Sequence, residues 1–67
     1  MIRIEYTMSN GEKYLQSRCS FQDGAPYQRS SANVELQHNL KDYAFFTVDD
    51  GVVLVAAQIA SAQIVED

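Results

Sequence analysis

The chain has 67 residues, a formal net charge of −4 and a single cysteine, Cys19. This length predicts one domain, residues 1–67, without room for a second hydrophobic core. A lone cysteine excludes an intrachain disulfide, and one cysteine with one histidine cannot fill a four-ligand zinc site. Oligomerisation therefore remains as a way to reinforce so small a domain.

The net charge and the single thiol limit the cellular compartments and the classes of partner that we expect. Five Lys or Arg residues stand against nine Asp or Glu residues, which argues against nucleic acid and anionic membranes, because both need a positive surface. The first residues, "MIRIEYTMSNGEK", contain neither a charged-then-apolar leader nor a cleavage site of small residues. An unpaired thiol is typical of a reducing compartment. We therefore expect a cytoplasmic protein with no membrane partner.

The first predicted element is a β-hairpin. Residues 2–8, "IRIEYTM", alternate between apolar and polar side chains, as a half-buried strand does. The dipeptide Asn10-Gly11 is typical of a two-residue hairpin loop, whose residues need positive φ angles. The returning strand is predicted at 12–20.

Counting outward from a two-residue loop gives the register of this hairpin. Tyr6 pairs with Leu15 on an apolar face, and Arg3 pairs with Arg18 on a polar face that also carries Tyr14. Two arginines directly opposite each other repel unless an anion lies nearby. That anion is either the acidic pair at 66–67 or a group from a partner, and the alternative is a simple solvated face.

The next two segments are a loop and an ambiguous element. Residues 21–30 contain Pro26 and several turn formers, so we interpret them as a loop. Residues 32–38 alternate as a strand does, whereas other apolar residues of 31–41 sit at helical spacing. Because several of these residues are mediocre helix formers and no capping box follows Ser31, we favour the strand.

A second hairpin is predicted from strands at 43–49 and 52–57, joined by an Asp-Gly turn at 50–51. Counting outward pairs Phe46 with Val55. Both faces of this hairpin are largely apolar, so we expect both faces to be covered.

The last segment is predicted to form a 3₁₀ turn near 58–61 and a short strand at 62–66. A continuous helix over 55–65 is the rival interpretation, although its apolar residues do not form one clean stripe.

Together these elements predict an all-β fold of about five or six short strands. It is either a small antiparallel sheet or a closed barrel, and its organisation resembles that of SH3-like and Sm-like small barrels. The alternative fold class is α+β with a helix at 31–41.

No group of residues in the sequence predicts catalysis. Cys19 and His38 are the only thiol and imidazole, and the predicted register buries Cys19. Turn chemistry explains the adjacent carboxylates Asp49 and Asp50, and no glycine-rich phosphate loop is present. We therefore expect a protein that is not an enzyme, with no catalytic residue, metal ligand or cofactor.

Two surface features predict binding instead. One is the Arg/Tyr face of the first hairpin, and the other is the aromatic loop, because aromatic residues and arginine are enriched in binding hot spots. The candidate interaction residues are Arg3, Tyr14, Arg18, Phe21, Tyr27 and Arg29. The loop aromatics could alternatively fold back over the core.

These patterns favour a small, non-enzymatic interaction or regulatory module that binds protein partners, including a second copy of itself. Its small size and its incompletely covered apolar strands are the basis for the homo-oligomer. The alternative function is a small β-barrel that binds nucleic acid through the Arg/Tyr face, with Tyr14 stacking on a base.

Overall fold

The computed structural model describes residues 1–67 and contains seven β-strands and one α-helix. In chain order the elements are β1 (Ile2–Met8), β2 (Lys13–Gln16), β3 (Arg18–Cys19), β4 (Ala25–Pro26), α1 (Arg29–Lys41), β5 (Phe45–Thr47), β6 (Val53–Val55) and β7 (Ile59–Glu66), with 3₁₀ turns at Ser20–Gln22, Asp49–Gly51 and Ala56–Gln58. Strands β2, β1 and β7 form an antiparallel sheet in that order, while β3 pairs with β4 and β5 pairs with β6.

The prediction of small antiparallel sheets is confirmed, but the all-β class is wrong. Residues 29–41 form a helix, so the strand predicted at 32–38 does not exist, and the sheets do not close into a barrel. The helix alternative at 31–41 matches the structure to within two residues.

Hydrophobic periodicity did not reveal helix α1, because the face that this helix buries is largely polar. Its buried residues are Ser31, Ala32, Glu35 and Asn39, which lie on one helical face but include only one apolar side chain. The helix start is also stabilised locally, since the backbone N–H of Gln28 donates to Ser31 Oγ at 2.9 Å. This bond belongs to a capping box in which Gln28 is the N-cap and Ser31 occupies the third helical position.

The first hairpin is confirmed, but its loop has three residues, 9–11, instead of two. The backbone N–H of Met8 donates to the carbonyl oxygen of Glu12 at 2.8 Å, which closes the loop. Gly11 has φ +88°, the left-handed residue that ends a common three-residue hairpin loop.

The longer loop moves the register of β1 and β2 by one residue. Tyr6 pairs with Tyr14, and Ile4 pairs with Gln16, so Tyr14 and Gln16 point toward the core and Leu15 points away from it. The strand predicted at 12–20 is also interrupted at Ser17, where β2 ends and β3 begins.

The second hairpin shows the same one-residue difference. Its strands are shorter than predicted, and its loop is 49–51, ending at Gly51 with φ +72°. Phe46 therefore pairs with Leu54 instead of Val55.

Strand β7 extends the predicted strand at 62–66 back to Ile59. The 3₁₀ turn lies at Ala56–Gln58 instead of 58–61, so the rival helix over 55–65 is wrong. β7 pairs with β1 along the edge opposite β2, with Ile4 facing Ile64.

One hydrophobic core lies between the three-stranded sheet, helix α1 and the second hairpin. The Tyr6 and Phe46 rings meet with their centroids 5.0 Å apart and their planes tilted by 52°, a favourable aromatic geometry. Cys19 is buried, as predicted. The core residues are Ile4, Tyr6, Cys19, Tyr27, Ala32, Val48 and Leu54.

Candidate interaction surface

The six predicted interaction residues do not form one surface. Tyr14 pairs with the buried Tyr6 and shares its face of the sheet, whereas Arg3 points to the opposite face because strand residues alternate. Arg18 lies in β3, opposite Pro26. The predicted Arg3–Arg18 pair and the shared Arg/Tyr face are therefore wrong, because both depended on the two-residue loop.

Two of the arginines contact the acidic pair at the end of the chain. Arg3 Nη2 lies 3.6 Å from a carboxylate oxygen of Asp67, and Arg29 forms an ion pair with Glu66. The acidic pair at 66–67, which the sequence suggested as the anion near Arg3, therefore does contact arginine side chains. These pairs are exposed and contribute little to stability.

The predicted aromatic loop separates into an exposed and a buried residue. Phe21 lies in the 3₁₀ turn and remains 52% exposed. Tyr27 is buried, and its hydroxyl donates to Glu35 Oε1 at 2.6 Å. Tyr27 thus folds back over the core, while Phe21 stays available for contact.

The buried carboxylate of Glu35 is a feature that the sequence did not predict. Its side chain is on α1 and only 3% of the residue is exposed. Ser20 donates twice, from its backbone N–H at 2.8 Å and from Oγ, and Gln16 Nε2 approaches at 3.5 Å. With Tyr27 these donors number four, all point at the carboxylate, and no cation pairs with it.

A second set of hydrogen bonds extends this network across the sheet. Tyr6 donates from its hydroxyl to Gln16 Oε1 at 2.9 Å, and Asn39 Nδ2 donates to both of these oxygens, at 2.8 and 3.1 Å. Burial raises the pKa of Tyr6 to about 12. Burial and the bond to Glu35 raise the pKa of Tyr27. Both phenols therefore remain neutral donors across the physiological range.

The other titratable candidates have local roles. Asp49 accepts bonds from the backbone N–H and the hydroxyl of Ser17, at 2.9 and 2.7 Å, which ties the second hairpin loop to the end of β2. His38 is exposed and its Nδ1 lies 2.6 Å from Asp42 Oδ2. Cys19 is buried on the core side, so these residues form no thiol–imidazole pair.

The outer face of the second hairpin is an exposed apolar surface. Phe45 pairs with Val55, and Thr47 pairs with Val53, so these four side chains share one face. Phe45 is 67% exposed, Val53 55% and Val55 47%. We call Phe45, Thr47, Val53 and Val55 the outer hairpin face.

The sequence indicated that the outer hairpin face is apolar, but it did not indicate the Glu35 network. Apolar residues on both faces of a hairpin predicted two covered faces, and the structure covers only the face with Phe46 and Leu54. Glu35 instead looks like an ordinary polar residue of an exposed helix position. Only the tertiary contact of α1 with the sheet brings its donors together.

Compared with known proteins, the chain matches no protein-family model, no curated protein and no solved structure. The candidate surfaces are therefore defined by their own geometry. None of the helices has the length and apolar character needed to cross a membrane.

Proposed function

We propose that the protein is a small, non-enzymatic interaction module that associates with a second copy of itself through the outer hairpin face. The observation that carries this proposal is the exposure of Phe45, Val53 and Val55 side by side on one β-ribbon. Scattered exposed apolar residues are normal, but a contiguous patch marks an interaction site.

A second copy fits this face because the face is uncharged. Each copy carries a net charge of −4, so two copies approach most favourably where neither presents a carboxylate. None of the four side chains of the outer hairpin face ionises. A twofold axis would place Phe45 and the valines of one copy against the same residues of the other.

The size of the face sets the expected affinity. Its three apolar side chains expose on the order of 300 Å² per copy, which is the lower end for a functional patch. A standard protein–protein interface buries about 800 Å² per partner. We therefore expect a dissociation constant in the micromolar range, so that assembly depends on protein concentration.

The free thiol of Cys19 supports a reducing, cytoplasmic location for this module. We do not propose nucleic-acid binding, because the Arg/Tyr face on which it depended is divided between the two sides of the sheet.

A charge substitution on the outer hairpin face tests the proposal. We expect sedimentation equilibrium to give about twice the 7.5 kDa monomer mass for the wild type at tens of micromolar. The Phe45→Glu variant should be monomeric, because dimerisation would bury its charge without a partner.

Leu40→Glu is the matched control, since Leu40 is a comparably exposed apolar residue on α1. It adds the same charge elsewhere and should leave the dimer intact. A wild type that is monomeric throughout, or equal effects of both substitutions, would contradict the proposal.

A further inference from the structure

A small groove lies beside the Glu35 network, on the surface between the 3₁₀ turn at Ser20–Gln22 and helix α1. Its volume is about 250 Å³, and it is lined by Ser20, Phe21, Val34, Glu35, His38 and Tyr43. Typical sites for drug-sized ligands occupy about 300–1,000 Å³. The groove therefore has room for a small head group and not for a nucleotide or a folded peptide.

The lining combines two exposed aromatic rings with a buried negative charge. Phe21 is 52% and Tyr43 53% exposed, so both rings are accessible from the groove. Glu35 is buried beside them and pairs with no cation, and the lining contains no Lys or Arg. Aromatic rings and a carboxylate at a shared site attract a cation.

The hydrogen bonds of Glu35 decide which kind of cation fits. A carboxylate offers about four lone-pair positions. Three donors, the Ser20 backbone N–H, Gln16 Nε2 and the Tyr27 hydroxyl, converge on Oε1, and Ser20 Oγ uses one position on Oε2. A primary ammonium in the groove would lose bonds to water, and because only 3% of Glu35 is exposed, its N–H groups have little access to the remaining position on Oε2. A quaternary ammonium has no N–H to satisfy, and it gains from the field of the carboxylate and from the ring faces.

We propose that this groove binds a quaternary ammonium group, such as the trimethylammonium head of a small molecule or a trimethylated lysine side chain. Phe21 and Tyr43 contact the methyl groups, and Glu35 supplies the charge. This site is separate from the outer hairpin face and does not depend on self-association.

Titrations followed by nuclear magnetic resonance of the aromatic side chains test the ammonium site. Tetramethylammonium should shift the Phe21 and Tyr43 signals with a millimolar dissociation constant. Butylammonium, and the neutral tert-butanol, should bind at least about tenfold more weakly. A peptide that contains one trimethyllysine tests whether the ligand is a modified protein, with the unmodified peptide as the control. If the modified peptide binds more tightly than tetramethylammonium, the ligand is a trimethylated lysine. If the two bind equally, the ligand is a free small molecule.

Substitutions then locate the site. Phe21→Leu and Tyr43→Leu should each weaken tetramethylammonium binding about threefold to tenfold. Phe45→Leu is the matched control, because Phe45 is an even more exposed aromatic residue outside the groove. It should leave binding unchanged even where it weakens the dimer. Glu35→Gln keeps the shape and removes the charge, so binding should be lost in any folded sample. Equal affinity for tert-butanol, or unchanged binding in Phe21→Leu, would overturn the proposal.

Discussion

Glu35 is the residue on which the position of α1 depends. An unpaired carboxylate moved out of water costs several kcal/mol unless hydrogen bonds replace its hydration. Here Ser20 and Tyr27 supply charge-assisted bonds from the segment before the helix, and such bonds are about twice as strong as neutral ones. No buried side-chain nitrogen or oxygen is left without a partner. The network thus fixes helix, loop and sheet in one arrangement.

The buried tyrosines make stability fall at alkaline pH. Burial raises the pKa of Tyr6 to about 12 and raises that of Tyr27, against about 10 in the unfolded chain. Because the folded pKa exceeds the unfolded pKa, this contribution is complete below about pH 10 and is lost as the pH rises through about 12. We expect the free energy of unfolding, from urea titrations, to decline steeply above about pH 10.

Two phenylalanine variants separate the contribution of a buried tyrosine from that of an exposed one. Tyr27→Phe should lower the free energy of unfolding at neutral pH by about 1–3 kcal/mol, because Glu35 loses a donor. It should also reduce the alkaline decline. Tyr43→Phe, at an exposed position, should leave both quantities unchanged, and an identical pH dependence in the Tyr27 variant would contradict the assignment.

Among the elements, the two hairpins depend on the glycine that ends each loop. Gly11 and Gly51 have φ +88° and +72°, and a Cβ added at either would meet nothing within 4 Å. Substitution therefore acts through backbone strain alone. We expect Gly11→Ala and Gly51→Ala each to lower the free energy of unfolding by about 1–2 kcal/mol. Gly11→Asn should cost less, because asparagine tolerates the left-handed region; urea titrations that rank Asn and Ala equally would contradict this.

Element type could be predicted from the sequence wherever one physical signal dominated. Alternation identified β1, and Gly after Asn or Asp identified both hairpins. Registers could not be predicted, because the same dipeptides end three-residue loops as well as forming two-residue ones. The one-residue difference in loop length then exchanged the two faces of β2, so the residues of the predicted Arg/Tyr surface do not lie on one face.

Helix α1 shows the other limit of sequence interpretation. Its buried face carries Ser31, Glu35 and Asn39, so apolar periodicity is nearly absent although the helix is 13 residues long. The donors that make this face stable come from Gln16, Ser20 and Tyr27, which lie outside the helix, between 8 and 19 positions before Glu35. A local sequence pattern does not show which residues from other segments will contact the helix. The groove beside Glu35 could not be predicted for the same reason.

The whole molecule is small enough that its apolar residues exceed what one copy can cover. The chain extends 28 × 24 × 20 Å, and a domain of this length buries only about 60% of its unfolded surface. The β5–β6 hairpin uses one face for the core and leaves the other to solvent. We propose self-association through that face as the reinforcement of a domain whose single cysteine allows no intrachain disulfide.

Overall charge predicts how salt changes this association. At a separation of about 24 Å, comparable with the molecular dimensions, two charges of −4 repel by about 3 kcal/mol in water without salt. The Debye length is about 30 Å at 0.01 M salt and about 8 Å at 0.15 M, so the repulsion falls from about 1 kcal/mol to roughly a tenth of that value.

Raising sodium chloride from 0.01 to 0.15 M should therefore tighten the dimer about fivefold in sedimentation experiments. The Phe45→Glu variant should remain monomeric at both concentrations, because screening does not remove the cost of burying its carboxylate. An interface made of ion pairs, such as those of Arg3 or Arg29, would instead weaken as salt rises. The sign of the salt effect thus distinguishes association through the uncharged outer hairpin face from association through the arginines.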